Sequence, residues 1–265
     1  NMDLFALMLP LKFDGVELTP WAMYGMQGKN ARFNEGGVDT ADGALGVTLP
    51  GYYPGMNGLA LGNTSKAYGS MFWAGLPVAI TAFDLWNIEF ELNYGYVEGM
   101  GRYDALERGV DPVRGSTQRQ GWLAKALVEY KTDWGRPGIF GWYGSGDDGD
   151  IKNGSERLPS IDPDVYVTSY GFDGTNYGGA AQTMGYGISG TWAVMAQLSD
   201  ISFLEDLKHT VRVVYYQGTN NTQMVREKAV TNPQDTVYSM LYLTTGDNAV
   251  EVNVDSSYKI YENLS

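Results

Sequence analysis

Asp147, Asp148 and Asp150 place three carboxylates within four positions, and hard oxygen donors of this kind suit calcium. Gly146 and Gly149 make the stretch a loop. It misses the twelve-residue calcium-loop pattern, because Leu158 stands where the closing acid belongs if Asp147 comes first. It reads as a solvated acidic loop, with calcium as the one metal it could take. No cofactor is required elsewhere. His209 is the only histidine, so serine–histidine–aspartate chemistry would have to use it. It starts a strand beside Lys208, with no nucleophile in view. Gly185-Tyr-Gly-Ile-Ser-Gly190 has the spacing of a dinucleotide loop, but that loop needs a helix after it and no helical pattern follows. It reads as small residues opening a strand. No catalytic residue is assigned and no enzyme is expected.

The other charged residues fall into a pattern. In 87–97, Ile88, Phe90, Leu92, Tyr94 and Tyr96 occupy one phase, and Glu89, Glu91 and Asn93 the other. Val250, Val252 and Val254 likewise alternate with Glu251, Asn253 and Asp255. Trp122, Ala124, Ala126, Val128 and Tyr130 oppose Lys125 and Glu129, and Val211, Val213 and Tyr215 oppose Arg212. Period-two alternation marks strands with two unlike faces. The nearest helical candidate is short, at 203–207.

Nine strands are expected near 3–11, 16–26, 70–82, 87–97, 120–131, 138–145, 184–198, 207–217 and 249–260. Most have about ten residues, the length of a tilted membrane-spanning strand. Short links (12–15, 83–86, 132–137, 199–206) alternate with long ones (27–69, 98–119, 146–183, 218–248). In a meander this puts every short turn at one end, as in outer-membrane barrels. Phe13, Phe83, Trp86, Trp134, Phe203 and Tyr261 stand by the short turns, and Tyr24, Tyr96, Trp142 and Tyr143 near the long loops. Two aromatic belts are expected at lipid headgroups.

The expectation is an all-β, transmembrane, antiparallel up-and-down β-barrel, with residues 1–265 belonging to one barrel domain. A spanning sheet must close so that every backbone group is paired. The apolar phase then faces lipid. The polar phase, Glu89, Glu91, Asn93, Lys125, Glu129, Arg212, Glu251, Asn253 and Asp255, lines the lumen. Leu4 through Leu9 are apolar in both phases, as if one side packed on another subunit.

Composition agrees. Thirty-one acids against 18 Lys and Arg give a net charge of −13, a poor match to nucleic acid. Cysteine is absent, which removes disulfides and thiolate chemistry. No secretory leader or apolar run of membrane-helix length is visible.

Several segments carry a family resemblance. They are Phe13-Asp-Gly-Val-Glu-Leu-Thr-Pro-Trp-Ala-Met-Tyr-Gly25, Thr81-Ala-Phe-Asp-Leu-Trp-Asn87, Ser145-Gly-Asp-Asp-Gly-Asp150, Gly154-Ser-Glu-Arg-Leu-Pro159, Asp200-Ile-Ser-Phe-Leu-Glu-Asp-Leu-Lys-His-Thr210, 243–253 and 258–263. Together they resemble the homotrimeric outer-membrane porins of sulfate-reducing bacteria. The resemblance implies a trimeric general-diffusion channel with about sixteen strands per subunit. About nine of these are represented here, with N- and C-terminal strands missing. It leaves the inward-folded constriction loop unassigned.

The expected function is passive passage of small hydrophilic solutes and ions through the outer membrane of a Gram-negative bacterium. The partners are other copies of the chain, outer-membrane lipid and lipopolysaccharide. The alternatives are a solute-specific outer-membrane channel, a barrel phospholipase or protease, and a soluble all-β carbohydrate-binding protein.

Overall fold

A computed structural model describes residues 2–28, 68–99, 102–105, 113–116, 118–150, 152–159, 167–168, 188–204, 206–223 and 243–260. Thirteen strands lie among them: β1 (Met2–Met8), β2 (Leu11–Phe13), β3 (Val16–Leu18), β4 (Trp21–Gly28), β5 (Tyr68–Ile80), β6 (Trp86–Val97), β7 (Arg102–Ala105), β8 (Val113–Ser116), β9 (Arg119–Tyr130), β10 (Arg136–Gly144), β11 (Thr191–Leu204), β12 (Leu207–Gly218) and β13 (Asn248–Tyr258). There is no helical element among the described residues. Eleven strands form one antiparallel up-and-down sheet in the order β1-β4-β5-β6-β9-β10-β11-β12-β13, with β2 and β3 attached beside β5.

All nine expected strands are present, and the differences have local causes. The first two are each split, at Pro10 and at Pro20, because proline has no N–H for the ladder. The link over 98–119 holds the separate hairpin β7–β8. The seventh strand runs from Thr191 to Leu204 instead of 184–198. Ile188–Gly190 form a turn before it, so the Gly185–Gly190 motif does not open a strand; its first residues lie outside the described ones. The short helical candidate at 203–207 is the tip of the β11–β12 hairpin. The sheet is open, with β1 and β13 as its edges; the expectation is a barrel of about sixteen strands of which about nine are represented here, and the described strands do not close into one.

Register fixes the two faces. Partners in an antiparallel pair share a face, so Val78, Phe90, Ala126, Gly141, Val194, Tyr215 and Val250 form one continuous row. The row below it is Ile80, Ile88, Val128, Ile139, Ala196, Val213 and Val252. Neither row holds a charge, and none of their side chains is buried: Val78, Ile80 and Ile88 are half-buried, and Ile139 at 61%, Val250 at 65% and Val252 at 64% stand exposed. The buried residues lie on the opposite face, among them Trp73, Leu123, Trp142, Met195, Val214 and Tyr216. The molecule is apolar outside and mixed inside.

Aromatic side chains border the exposed apolar band. From Phe72 and its partner Tyr96, the aromatic position slips two residues to Tyr94 and its partner Trp122. It slips two more to the paired Tyr143 and Trp192, and two more to Tyr215. Trp122 stacks on Tyr143 with centroids 5.0 Å apart, and Trp192 packs on Tyr215 at 5.5 Å. The slip totals six residues over the five interstrand steps from β5 to β12. That is about 20 Å along the strands against about 24 Å across them, an angle of about 40°. At the turn end, Trp86 packs on Tyr130 at 4.9 Å. Trp86 lies eight residues from Tyr94, Tyr130 eight from Trp122, and Tyr258 eight from Val250, the partner of Tyr215. The two borders therefore run parallel. The same stagger carries the β11–β12 hairpin past its neighbours at the turn end, which is why the seventh strand ends late. Asp200 sits in the bulge of that hairpin at φ 56° and accepts Arg136 and Lys208 at 3.1 Å each.

Candidate functional site

All nine polar residues expected to face a lumen share the inner face. Glu91 and Lys125 are register partners and form an ion pair at 2.5 Å. The second Glu91 oxygen accepts Asn93 Nδ2 at 2.6 Å. Arg212 reaches Asp255 at 2.5 Å, and Asn253 Nδ2 donates to Glu251 at 2.7 Å. Glu129 is buried, and its two oxygens accept Asn87 Nδ2 at 3.0 Å and Gln197 Nε2 at 2.8 Å. Asn87 shares the phase of Glu89 and Glu91, so alternation alone could have found it. Gln197 lies in the strand whose bounds were misplaced. Of the nine, Glu89, Glu91, Lys125 and Arg212 line a cavity of about 530 Å³ on the inner face, together with Glu17 and Gln197. Half-exposed ion pairs contribute little to stability, about 0–1 kcal/mol each. Their consequence is the field they set over the cavity.

The chain after β10 turns onto this inner face. Ser155 N donates to Gln118 O, and Gln120 N donates to Ser155 O, both at 2.9 Å. Ser145 Oγ holds Glu156 O at 2.5 Å, Trp73 Nε1 holds Pro159 O at 2.8 Å, and Arg157 donates to Ser189 O at 3.0 Å. Leu158 enters the inner core beside Leu123 and Trp142, and Val167 packs against the same cluster. The link over 146–183 is expected to be an external loop; its described part lies over the inner wall.

The acidic stretch begins this segment. Asp147 is buried, and its carboxylate accepts Ser155 Oγ at 2.5 Å and Glu156 N at 3.2 Å. Asp148 accepts Asp150 N at 2.7 Å and Asn153 Nδ2 at 3.0 Å, and Asp150 accepts Lys152 N at 2.9 Å. These carboxylates fix local turns. Among the described residues no three histidine, aspartate or glutamate side chains converge as a metal site. His209 Nδ1 pairs with Ser256 Oγ at 2.8 Å near the turn end.

The chain matches no family model, no curated protein and no solved structure. The functional reading therefore rests on the faces of the sheet and the inward segment.

Glu156 makes that segment sensitive to pH. Burial pushes its carboxyl from 4.5 up to about 7, and the neighbouring Asp148 and Asp147 charges add to the rise. The folded segment thus holds this proton more tightly than an unfolded chain does. The stability that Glu156 contributes is fully present below about pH 4.5 and is lost as pH rises through about 7. Amide exchange at Asp148 and Glu156, corrected for intrinsic rates, should be slower at pH 5 than at pH 8. Glu156→Gln, which keeps the acceptor for Asp148 N, should flatten that dependence; an unchanged profile would refute the assignment to Glu156.

Proposed function

We propose that the chain is part of an outer-membrane diffusion channel, with the inner face as the channel wall and the exposed apolar band against lipid. The observation that carries this reading is the parallel course of the two aromatic borders. A membrane interface cuts tilted strands at the tilt angle, and the borders cross the strands at the angle expected of barrels tilted by about 35–45°. Eight residues between them at that tilt span about 20 Å, close to the apolar height of such barrels.

Lipid also explains why so much apolar surface is left exposed. A water-soluble monomer rarely exposes an apolar patch beyond a few hundred Å². In hydrocarbon the same side chains meet their own kind. Backbone groups at the free edges of β1 and β13 must be paired there, so the reading includes closure of the sheet into a barrel. From Leu4 to Met8 β1 is apolar on both faces, with Leu7 at 74% and Met8 at 65% exposure, and the reading gives it to contact between copies in a trimer.

No bond is made or broken in this function. Small hydrophilic solutes and ions diffuse through water along the wall, limited by bore and field. The nine wall residues include five acids, Glu89, Glu91, Glu129, Glu251 and Asp255, against two cations, Lys125 and Arg212, so the wall carries an acidic excess. Added to planar bilayers, the protein should give stepwise conductance. In a potassium chloride gradient its reversal potential should fall on the cation side, with a permeability ratio of a few-fold. Absence of steps would refute the channel, and anion preference would refute the charge assignment. A protein that stays monodisperse in buffer without detergent would favour the soluble carbohydrate-binding alternative.

A further inference from the structure

Gly95 on β6 and Gly121 on β9 are direct register partners, so together they bare a patch of inner wall without side chains. Both neighbouring spaces are filled by other parts of the chain. A Cβ on Gly121 would stand 2.4 Å from Glu156 O, 2.4 Å from Leu158 N and 2.5 Å from Arg157 C, all backbone atoms. A Cβ on Gly95 would stand 2.8 Å from the Trp73 ring and 3.0 Å from Pro159 Cγ. Trp73 crosses over Gly95 and holds Pro159 O. Ser145 Oγ holds Glu156 O from the other side. The stretch from Glu156 to Pro159 is thus pressed against bare backbone and pinned at both ends.

We propose that Gly121 and Gly95 form a seat that sets how far the inward segment stands from the wall, and so fixes the bore. This rests on the channel reading above. Glycine is required here for closeness of approach, not for its backbone freedom, since neither residue has a positive φ. An ordinary contact needs at least 3.4 Å, so even one methyl group at Gly121 moves the segment off the wall by about 1 Å. The wall yields less readily than the segment, because β9 is paired along its length to β6 and β10 and would have to carry both with it. The segment therefore moves into the lumen.

The test uses the full protein with Gly121→Val. Ala126→Val is the control, since it places the same β-branched side chain on the outward face of the same strand. Gly121→Val should lower single-channel conductance by about a quarter and reduce the largest sugar admitted, whereas Ala126→Val should change neither. Trypsin should cut the Gly121→Val protein at Arg157, identified by mass, and spare the parent. Trp73→Phe keeps the ring but loses the bond to Pro159 O; it should shift conductance the same way by less, and it serves if Gly121→Val does not fold. A folded Gly121→Val protein with parental conductance and a trypsin-resistant Arg157 would overturn the seat, as would a wider bore. If the parent forms no channel, the channel reading fails. Cleavage at Arg157 in Gly121→Val alone would still support the seat as the anchor of the segment.

Discussion

Ile139→Arg should destabilise the protein by about 2–4 kcal/mol when unfolding is followed in lipid vesicles with urea. Ile139 lies on β10 within the outer apolar row, between Val128 and Ala196, and four residues from the aromatic Tyr143. In a bilayer this places it near the middle of the hydrocarbon, where a guanidinium has neither water nor a counter-ion. The neighbouring outward rows offer none, because they hold only apolar or aromatic side chains. Snorkelling to the interface is limited, since either border is several residues away. Glu89→Arg reverses a charge on the inner face and should cost less than about 1 kcal/mol, because that side chain is exposed and stays in water. The pair of variants separates the two environments within one protein. For a water-soluble sheet the ranking differs: an exposed isoleucine exchanged for arginine would fall within about 0.5 kcal/mol and improve solubility. Equal, small effects at Ile139 and Glu89 would therefore refute the lipid-facing assignment.

The two faces were legible because strand periodicity is local. Each side chain's phase depends only on its neighbours two positions away, so Glu89, Glu91, Lys125 and Glu129 could be placed on one face before any partner was known. Stagger is different. It is a relation between strands, set by twist and tilt, and leaves no mark inside a single strand. This is why β11 was placed too early, and why the apolar tip at Phe203 and Leu204 was given to a turn. The prolines at 10 and 20 were visible, but whether a proline ends a strand or only interrupts one depends on the neighbouring ladder. Closure was inferred from the demands of lipid on backbone groups, a condition the open sheet does not itself meet. The inward segment was the largest omission. Its anchors are mostly backbone carbonyls and amides, such as Glu156 O, Pro159 O and Ser155 N, so its sequence of Ser, Asn, Gly and Pro looks like any solvated loop. The signal that could have exposed it lay in the wall, where Gly95 and Gly121 interrupt otherwise bulky strands.

Asn220→Ala should release the rim of the inner face, at a cost of about 2–4 kcal/mol in stability. Asn220 is 1% exposed and ties three loops together. Its Oδ1 accepts Asp147 N at 3.0 Å, and its Nδ2 donates to Gly190 O at 3.2 Å and Leu243 O at 2.6 Å. Its own backbone bonds Thr245 N at 2.9 Å, so the side chain is held in place from the next loop. Alanine removes all three bonds: Gly190 O keeps Thr219 N at 2.9 Å, whereas Asp147 N and Leu243 O lose the Asn220 amide, and water does not replace it without opening the rim. Asn220→Asp gives a sharper result. It keeps an acceptor for Asp147 N but turns a carboxylate toward the Gly190 and Leu243 carbonyls, beside the acidic Asp147 segment. Its charged form is disfavoured in the folded state, so its carboxyl must lie above the usual range there. Stability of Asn220→Asp should accordingly recover as pH falls, while that of Asn220→Ala should follow the parent's pH profile with a constant offset. Urea titrations of the three proteins between pH 4 and pH 8 would read this directly. A flat offset for aspartate, or a loss below about 0.5 kcal/mol for alanine, would show that the loops are held without Asn220. Because Asp147 leads into the segment seated on Gly121, loosening its amide should also raise trypsin cleavage at Arg157, linking the rim to the position of the inward segment.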